Sequence, residues 1–302
     1  MRSAAVIINP IAGAAHGRLT PDGAAALFAT QGIETEIIVT HLPGGEAELA
    51  AQAADHHPLV AVAGGDGTIS EAARGVAGTG AVLVLLPCGS GNDFANGLGI
   101  MTPRDGVAAL ETGRIAHLDT CAFAGRFFVN SCGLFFNGEV SLRAAGVSRS
   151  WGRLRYPVAT AGLLTRYRAP AATWRIDPGG ACETVFSGRW LLAEVGNGTR
   201  CGGGFRLTPR ADPADGLLDY CLVRDLSVWG RLKTLPGGIR GTHLSNPAVV
   251  YPRAASAELE TTETLAVHWD GEAARIPPGV HRFRVEPGRL QVAVPQKENG
   301  RP

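Results

Sequence analysis

A chain of 302 residues exceeds the usual size of one domain, and with 45% hydrophobic and 18% charged residues it can bury sizeable cores. That composition excludes intrinsic disorder. A formal net charge of only +1 excludes a dedicated nucleic-acid binder, which needs a strong basic field.

The first part of the chain alternates strand and helix signals. Ala4–Ile8 is a short apolar run ending in Asn9-Pro10, as in a buried parallel strand. After a glycine-containing loop, Asp22–Gln31 carries alanine and leucine at helical spacing. Glu34–Thr40 is a second strand and Gly45–His56 a second helix. Leu59–Ala63 is a third strand, running into Gly64-Gly65-Asp66-Gly67-Thr68 and a helix from about Ile69. Ala81–Leu86, the fourth strand, ends in the turn Pro87–Asn92. Strands alternating with helices imply a parallel sheet with right-handed crossovers.

After about residue 120 the pattern changes. Trp190–Val195, Leu217–Val223, Ala257–Glu260, Leu265–Trp269 and Val280–Val285 are short, turn-bounded and β-like in composition. Helical signals are confined to Glu139–Ala145, Arg153–Arg166 and Val228–Leu235, so this half reads as a mainly antiparallel β domain. The tail Gln296–Pro302 is polar and expected to fray. Cys88, Cys121, Cys132, Cys182, Cys201 and Cys221 form no C-x-x-C pair, which fits buried, reduced thiols rather than a zinc site. Met1-Arg2-Ser3 leads straight into a strand, and no apolar run approaches the ~18 residues that span a bilayer. The expectation is a soluble, cytoplasmic protein, peripheral to the membrane when acting.

Chemistry concentrates in the turns. In an open parallel sheet, ligands bind at the carboxyl ends of the strands. Gly64, Gly65 and Gly67 let the backbone approach a polyphosphate, and the following helix N-terminus adds partial positive charge. Asp66 would repel phosphate there, so a bridging Mg²⁺ is implied; the plainer reading is a tight strand-to-helix turn capped by Asp66. The second turn, Pro87-Cys88-Gly89-Ser90-Gly91-Asn92-Asp93-Phe94, repeats the pattern, and Asn9-Pro10-Ile11-Ala12-Gly13 leaves the first strand toward the same edge. Arg18 or Arg74 could add cationic contacts to phosphate.

With these motifs the chain resembles the diacylglycerol kinase catalytic-domain family of lipid kinases. That family includes bacterial diacylglycerol and phosphatidylglycerol kinases and the sphingosine and ceramide kinases. The resemblance spans nearly the whole chain. It rests on Asn9-Pro10 with Gly13, Thr40, Gly64–Thr68 with Glu71, and Pro87–Asp93. It continues through Gly202-Gly203-Gly204-Phe205 with Pro209, Asp215-Gly216-Leu217-Leu218-Asp219, and Asp270-Gly271-Glu272. It implies an α/β nucleotide-binding domain like those of NAD kinases and phosphofructokinases (residues 1–119), with the segment 287–302 packing back on it. A β-sandwich-like lipid-substrate domain would fill residues 120–286.

By resemblance, the nucleotide-binding residues are Asn9, Thr40, Gly65, Asp66, Thr68, Glu71, Gly89, Ser90 and Asn92, beside Gly64 and Gly67 of the glycine turn. Asp93, Asp119 and Asp215 correspond to an active-site carboxylate network, and Glu272 to the general base that accepts the lipid hydroxyl proton. Some bacterial members hold a structural magnesium, whose ligands correspond to Asp215 and the carbonyls of Asp212 and Leu217. The implied co-substrate is ATP with Mg²⁺, and the implied partner a lipid presented at a membrane surface, with diacylglycerol as the first reading. A homodimer is left open. The stretch Arg143–Arg168, which mixes arginines with Trp151, Tyr156 and Tyr167, offers an interfacial helix as one reading and a packed amphipathic helix as the other. An NAD kinase, sharing the Gly-Gly-Asp-Gly turn, and a catalytically silent lipid- or nucleotide-binding protein also stay open.

Overall fold

The computed structural model describes residues 3–11, 19–40, 45–146, 160 and 162–296. The chain divides into two compact units, Met1–Leu118 with Pro287–Pro302 and Asp119–Glu286.

In chain order the first unit holds β1 (Ser3–Ile8), α1 (Pro21–Ala29), β2 (Glu34–Val39), α2 (Glu46–His56), β3 (Leu59–Gly64) and α3 (Asp66–Val76). It continues with β4 (Val82–Pro87), α4 (Asp93–Gly97) and α5 (Pro103–Thr112). Strands β2, β1, β3 and β4 lie side by side and parallel, and the Gln291–Val292 segment of the last strand adds in parallel to β4. Strands β1, β3 and β4 are almost wholly buried, which is why they are uninterrupted apolar runs; β2, at the edge, is half exposed. Because β1 has β2 on one side and β3 on the other, successive crossovers leave it in opposite directions. Its carboxyl end is a topological switch point, where ligand crevices open. Helix starts are specified locally. Thr20 accepts the Gly23 N–H ahead of α1, and Thr102 and Asp105 form a capping box at α5.

The chain passes between the units along β5 (Arg114–Phe123) and returns along β16 (Gly279–Val294). The second unit adds β6 (Arg126–Phe128), β7 (Ser131–Phe135), α6 (Phe136–Ala145), β8 (Ala171–Ile176), β9 (Thr184–Gly196) and β10 (Leu218–Arg224). Then come α7 (Val228–Arg240), β11 (Val249–Val250), β12 (Arg253–Ala254), β13 (Ser256–Thr261), β14 (Leu265–Trp269) and β15 (Glu272–Ile276). The architecture is an antiparallel β-sandwich. Strand β9 serves both sheets: its first half pairs with β8, which continues to β13 and β16, and its second half pairs with β7 and β10. Trp174, Trp190, Tyr220, Phe123 and Phe283 fill the core, with the Phe123 and Phe283 rings stacked at 3.7 Å.

Several elements differ from the sequence expectation. Helix α3 starts at Asp66, not near Ile69, because Gly65 takes the cap position and Gly67 adopts helical backbone within the first turn. Helix α7 runs through Pro236 to Arg240, where Gly241 ends it in left-handed conformation (φ 74°). The segment Val280–Val285 is only the start of a 16-residue strand that continues past Pro287 and Gly288. Helix α5 and strand β5 carried no reading from sequence. The expected helix Arg153–Arg166, with the interfacial reading of Arg143–Arg168, falls largely on residues 147–159 and 161, outside the described residues; Gly13, Arg18 and the tail from Lys297 lie outside them too. Among the described residues no helix is long and apolar enough to cross a membrane.

Close approach of α5 to β4 depends on Gly106, where a Cβ would stand 1.9 Å from the Leu85 carbonyl oxygen. Gly106→Ala is expected to destabilise the protein by about 1–3 kcal/mol through overpacking, read as a lower urea midpoint.

Candidate active site

The loops at the carboxyl ends of β1, β3 and β4 converge in the first unit. Asn9, just past β1, donates from Nδ2 to Thr68 Oγ1 at 3.0 Å and to Glu46 Oε1 at 3.1 Å, while its Oδ1 accepts the Ile11 N–H. Asn9 thus ties the β1 loop to the first turns of α3 and α2. Glu46, buried at the start of α2, was not foreseen; an acid in a helix's first turn is common for dipole reasons alone, which hid it. Thr40, also buried, ends β2 by donating its N–H to the Ile8 carbonyl.

The two glycine turns interlock. A Cβ on Gly89 would stand 2.5 Å from Gly65 Cα, and one on Gly64 would stand 2.4 Å from Thr68 Cβ, so only glycine fits at these places. Across that contact the Asp66 carboxylate accepts the N–H of Asn92 at 2.8 Å and of Phe94 at 3.4 Å. Asn92 holds left-handed backbone (φ 57°) and bonds Gly89 twice, Oδ1 accepting its N–H and Nδ2 donating to its carbonyl. It is therefore a brace of its turn rather than a side-chain cap of α4. Ser90 is exposed at the tip. The first bond within α3 runs from Ile69 N–H to the Gly65 carbonyl, leaving the N–H groups of residues 66–68 without intrahelical acceptors. A strand end, a glycine turn and a helix N-terminus together make an anion cradle. Arg74 and Glu71 bond to each other at 2.5 Å, so Arg74 is committed within its own helix. Burial, reinforced by the charge of Asp93, pushes the Asp66 carboxyl up to about 7.

The second unit gathers the remaining carboxylates. Buried Asp119 accepts the Gly216 N–H at 2.7 Å and donates its own N–H to the Pro213 carbonyl at 2.7 Å, clasping the 212–217 loop. Arg253 of β12 pairs with Asp215 of that loop and, at 3.1 Å, with buried Asp219 of β10. Asp119, on β5, therefore clasps the loop that carries Asp215, while Asp93 belongs to the first unit. Where a structural magnesium is expected, at Asp212, Asp215 and Leu217, the protein's own groups engage part of the donor set. A guanidinium already neutralises Asp215, and the Asp212 carboxylate and carbonyl accept the N–H groups of Ala214 and Asp215 within their own turn. No group of three or more His, Cys, Asp or Glu side chains able to hold a metal occurs among the described residues.

Glu272 follows the two-residue turn Asp270-Gly271 between β14 and β15, both with positive φ (48° and 95°). The turn is held rigidly: buried Asp270 accepts the N–H groups of Val129, Asn130 and Ser131 at 2.8, 3.0 and 2.8 Å. Glu272 itself is exposed, 3.9 Å from Arg126, whose guanidinium lies over the Trp269 ring. The positioning role of Asp270 was missed because, in sequence, Asp-Gly signals only a hairpin.

Comparison with known proteins matches both units. Residues 3–123 match the family model described as diacylglycerol kinase catalytic domain, and residues 132–294 that described as YegS C-terminal NAD kinase beta sandwich-like domain. The chain is 30% identical to a diacylglycerol kinase of Mycobacterium tuberculosis over 96% of this chain and 94% of the relative. It is 34% identical to a Pseudomonas aeruginosa protein named probable lipid kinase YegS-like, over 81% of this chain and 79% of the relative. A crystal structure of a diacylglycerol kinase from Bacillus anthracis shares the fold with a TM-score of 0.71 at 20% identity, covering 97% of each chain.

The raised Asp66 carboxyl makes a pH prediction. The folded state holds this proton more tightly than the unfolded chain. Its stabilising contribution is thus fully present below about pH 4, the unfolded value, and is lost as pH rises through about 7. Urea unfolding of nucleotide- and metal-free protein should show Asp66→Asn gaining stability relative to wild type between about pH 5 and about pH 8. Parallel pH profiles would mean that Asp66 does not titrate in that window.

Proposed function

The chain belongs to the family of diacylglycerol kinases and YegS-like lipid kinases, and on that premise we propose that it transfers the γ-phosphoryl group of ATP to the hydroxyl of diacylglycerol, giving phosphatidic acid. The observation that carries the nucleotide half of this reading is the interlocked pair of glycine turns around Asp66, at the switch point of the first unit's sheet. Backbone N–H groups of residues 66–68 and the α3 N-terminus suit the charge on the β- and γ-phosphates. Asn9, braced on Thr68 and Glu46, fixes the neighbouring loop.

In the transfer step the lipid hydroxyl oxygen forms a bond to the γ-phosphorus. The bond from that phosphorus to the β–γ bridging oxygen breaks, ADP leaves, and the hydroxyl proton passes to the Glu272 carboxylate. The Asp270 turn supports this role by presenting Glu272 from a backbone clamped at three N–H groups. Asp66 and Asp93 are the carboxylates suited to magnesium that arrives with the nucleotide, since a divalent cation would offset the burial and mutual repulsion that raise Asp66. Magnesium, when bound, supplies neutralisation of phosphate charge.

The test is incubation with magnesium, ATP and a total lipid extract, with mass spectrometry of the phosphorylated products and NAD as a competing acceptor. Phosphatidic acid is the expected product; phosphorylated NAD without it would move the assignment to the nucleotide-kinase branch. Glu272→Gln should lower turnover by about 10²–10⁴-fold while ATP binding and the melting temperature hold. Near-wild-type turnover in that folded variant would remove Glu272 from the role of base.

A further inference from the structure

Helix α7 carries an outer face unlike any other helix surface described in this chain. Trp229 is 76% exposed, Leu232 43% and Ile239 56%, three of the large apolar side chains that the described residues leave in solvent. Lys233, Pro236 and Arg240 are exposed beside them. At 3.6 residues per turn these six positions fall within an arc of about 120°, with Ile239 and Leu232 along one edge and Arg240 and Lys233 along the other. The opposite side is satisfied from within: Arg231 is 6% exposed and bonds Asp225 and the carbonyls of Leu226 and Leu164. The Trp229 face is therefore not the packing face of the helix.

From residue 226 to residue 257 the charges along the chain have one sign. No Asp or Glu stands between Asp225 and Glu258, and Lys233 is one of only two lysines in the chain. Lys233 and Arg240 make no ion pair with a carboxylate among the described residues, whereas many exposed arginines elsewhere do. A groove of about 550 Å³ runs beside the helix, and Lys233 and Arg240 line it together with Thr242, Ser245 and Asn246. Cations, hydroxyls and an amide suit a phosphate-bearing headgroup, next to an indole and aliphatic chains that suit the acyl boundary.

We infer that the outer face of α7 is the membrane-docking surface of this enzyme and that its occupant is an anionic phospholipid bilayer. The inference rests on the reading that the acceptor is a membrane lipid. The face supplies what that reading otherwise lacks: an apolar anchor that inserts shallowly, and basic side chains that hold the helix in the headgroup plane. Such docking weakens with added salt, because the surface potential decays within a Debye length.

The decisive experiment sediments the full chain with vesicles of phosphatidylcholine alone and of equal parts phosphatidylcholine and phosphatidylglycerol. Wild type should partition to the mixed vesicles and be released by salt. Trp229→Ser and the double variant Lys233→Glu, Arg240→Glu should each lose partitioning on the order of tenfold or more. Val280→Ser, at a residue that is 56% exposed on β16, should bind as wild type does. Because all these side chains are exposed, melting temperatures should not move. Turnover on a short-chain, monomeric acceptor should also stay level in the α7 variants while turnover on vesicle-embedded lipid falls. Binding is read without turnover, so a wrong acceptor assignment leaves this result standing. Equal sedimentation of wild type and α7 variants, or no retention of wild type on either vesicle, would overturn the inference.

Discussion

The Asp66 carboxylate is the constraint on which the catalytic half of this molecule depends. It sits in the first turn of α3, yet its bonds go to the backbone of a different loop, the N–H groups of Asn92 and Phe94. That bridge brings the β3 and β4 turns into contact at their Cα atoms, which only Gly65 and Gly89 permit. The arrangement has a cost, visible in a carboxyl pushed up to about 7 by burial and by Asp93. The geometry survives because the N–H donors of Asn92 and Phe94 are fixed in the β4 turn and need no reorganisation to receive the carboxylate.

The second unit repeats the device with other residues. Asp270 receives three backbone N–H groups across β-strand connections far apart in sequence, and Asp119 clasps the loop that carries Asp215. In each case a carboxylate that resembles catalytic equipment organises backbone. Glu272, the proposed base, is by contrast exposed, next to the turn that Asp270 clamps. A base must reach its substrate, whereas a clamp must not, and burial separates the two roles among chemically identical groups.

Cation chemistry divides along the same line. Arg253 neutralises Asp215 and Asp219, and Arg231 is held inside by Asp225 and two carbonyls. Lys233 and Arg240 remain on the solvent face of α7 beside Trp229. A guanidinium that satisfies buried carboxylates contributes to the fold, and the same charge in solvent is available to a partner.

The sequence by itself determined the alternation of apolar strands and helices in the first unit, the β character of the second, and the turns Gly64–Thr68, Pro87–Asp93 and Asp270–Glu272. These are legible because burial on both sheet faces demands unbroken apolar runs, and because tight turns demand glycine or left-handed backbone. Tertiary structure alone decided that Asp66 bonds the second turn, that Asn92 braces Gly89, that Glu46 holds Asn9, and that Arg253 takes the carboxylate expected to hold magnesium. It likewise decided that Trp229 of α7 faces solvent while Trp174 and Trp190 fill a core. Except for Asn92 and Gly89, which share one turn, those partners are tens of residues apart, and no local period or composition encodes which polar groups meet; that is set only when strands and loops are packed.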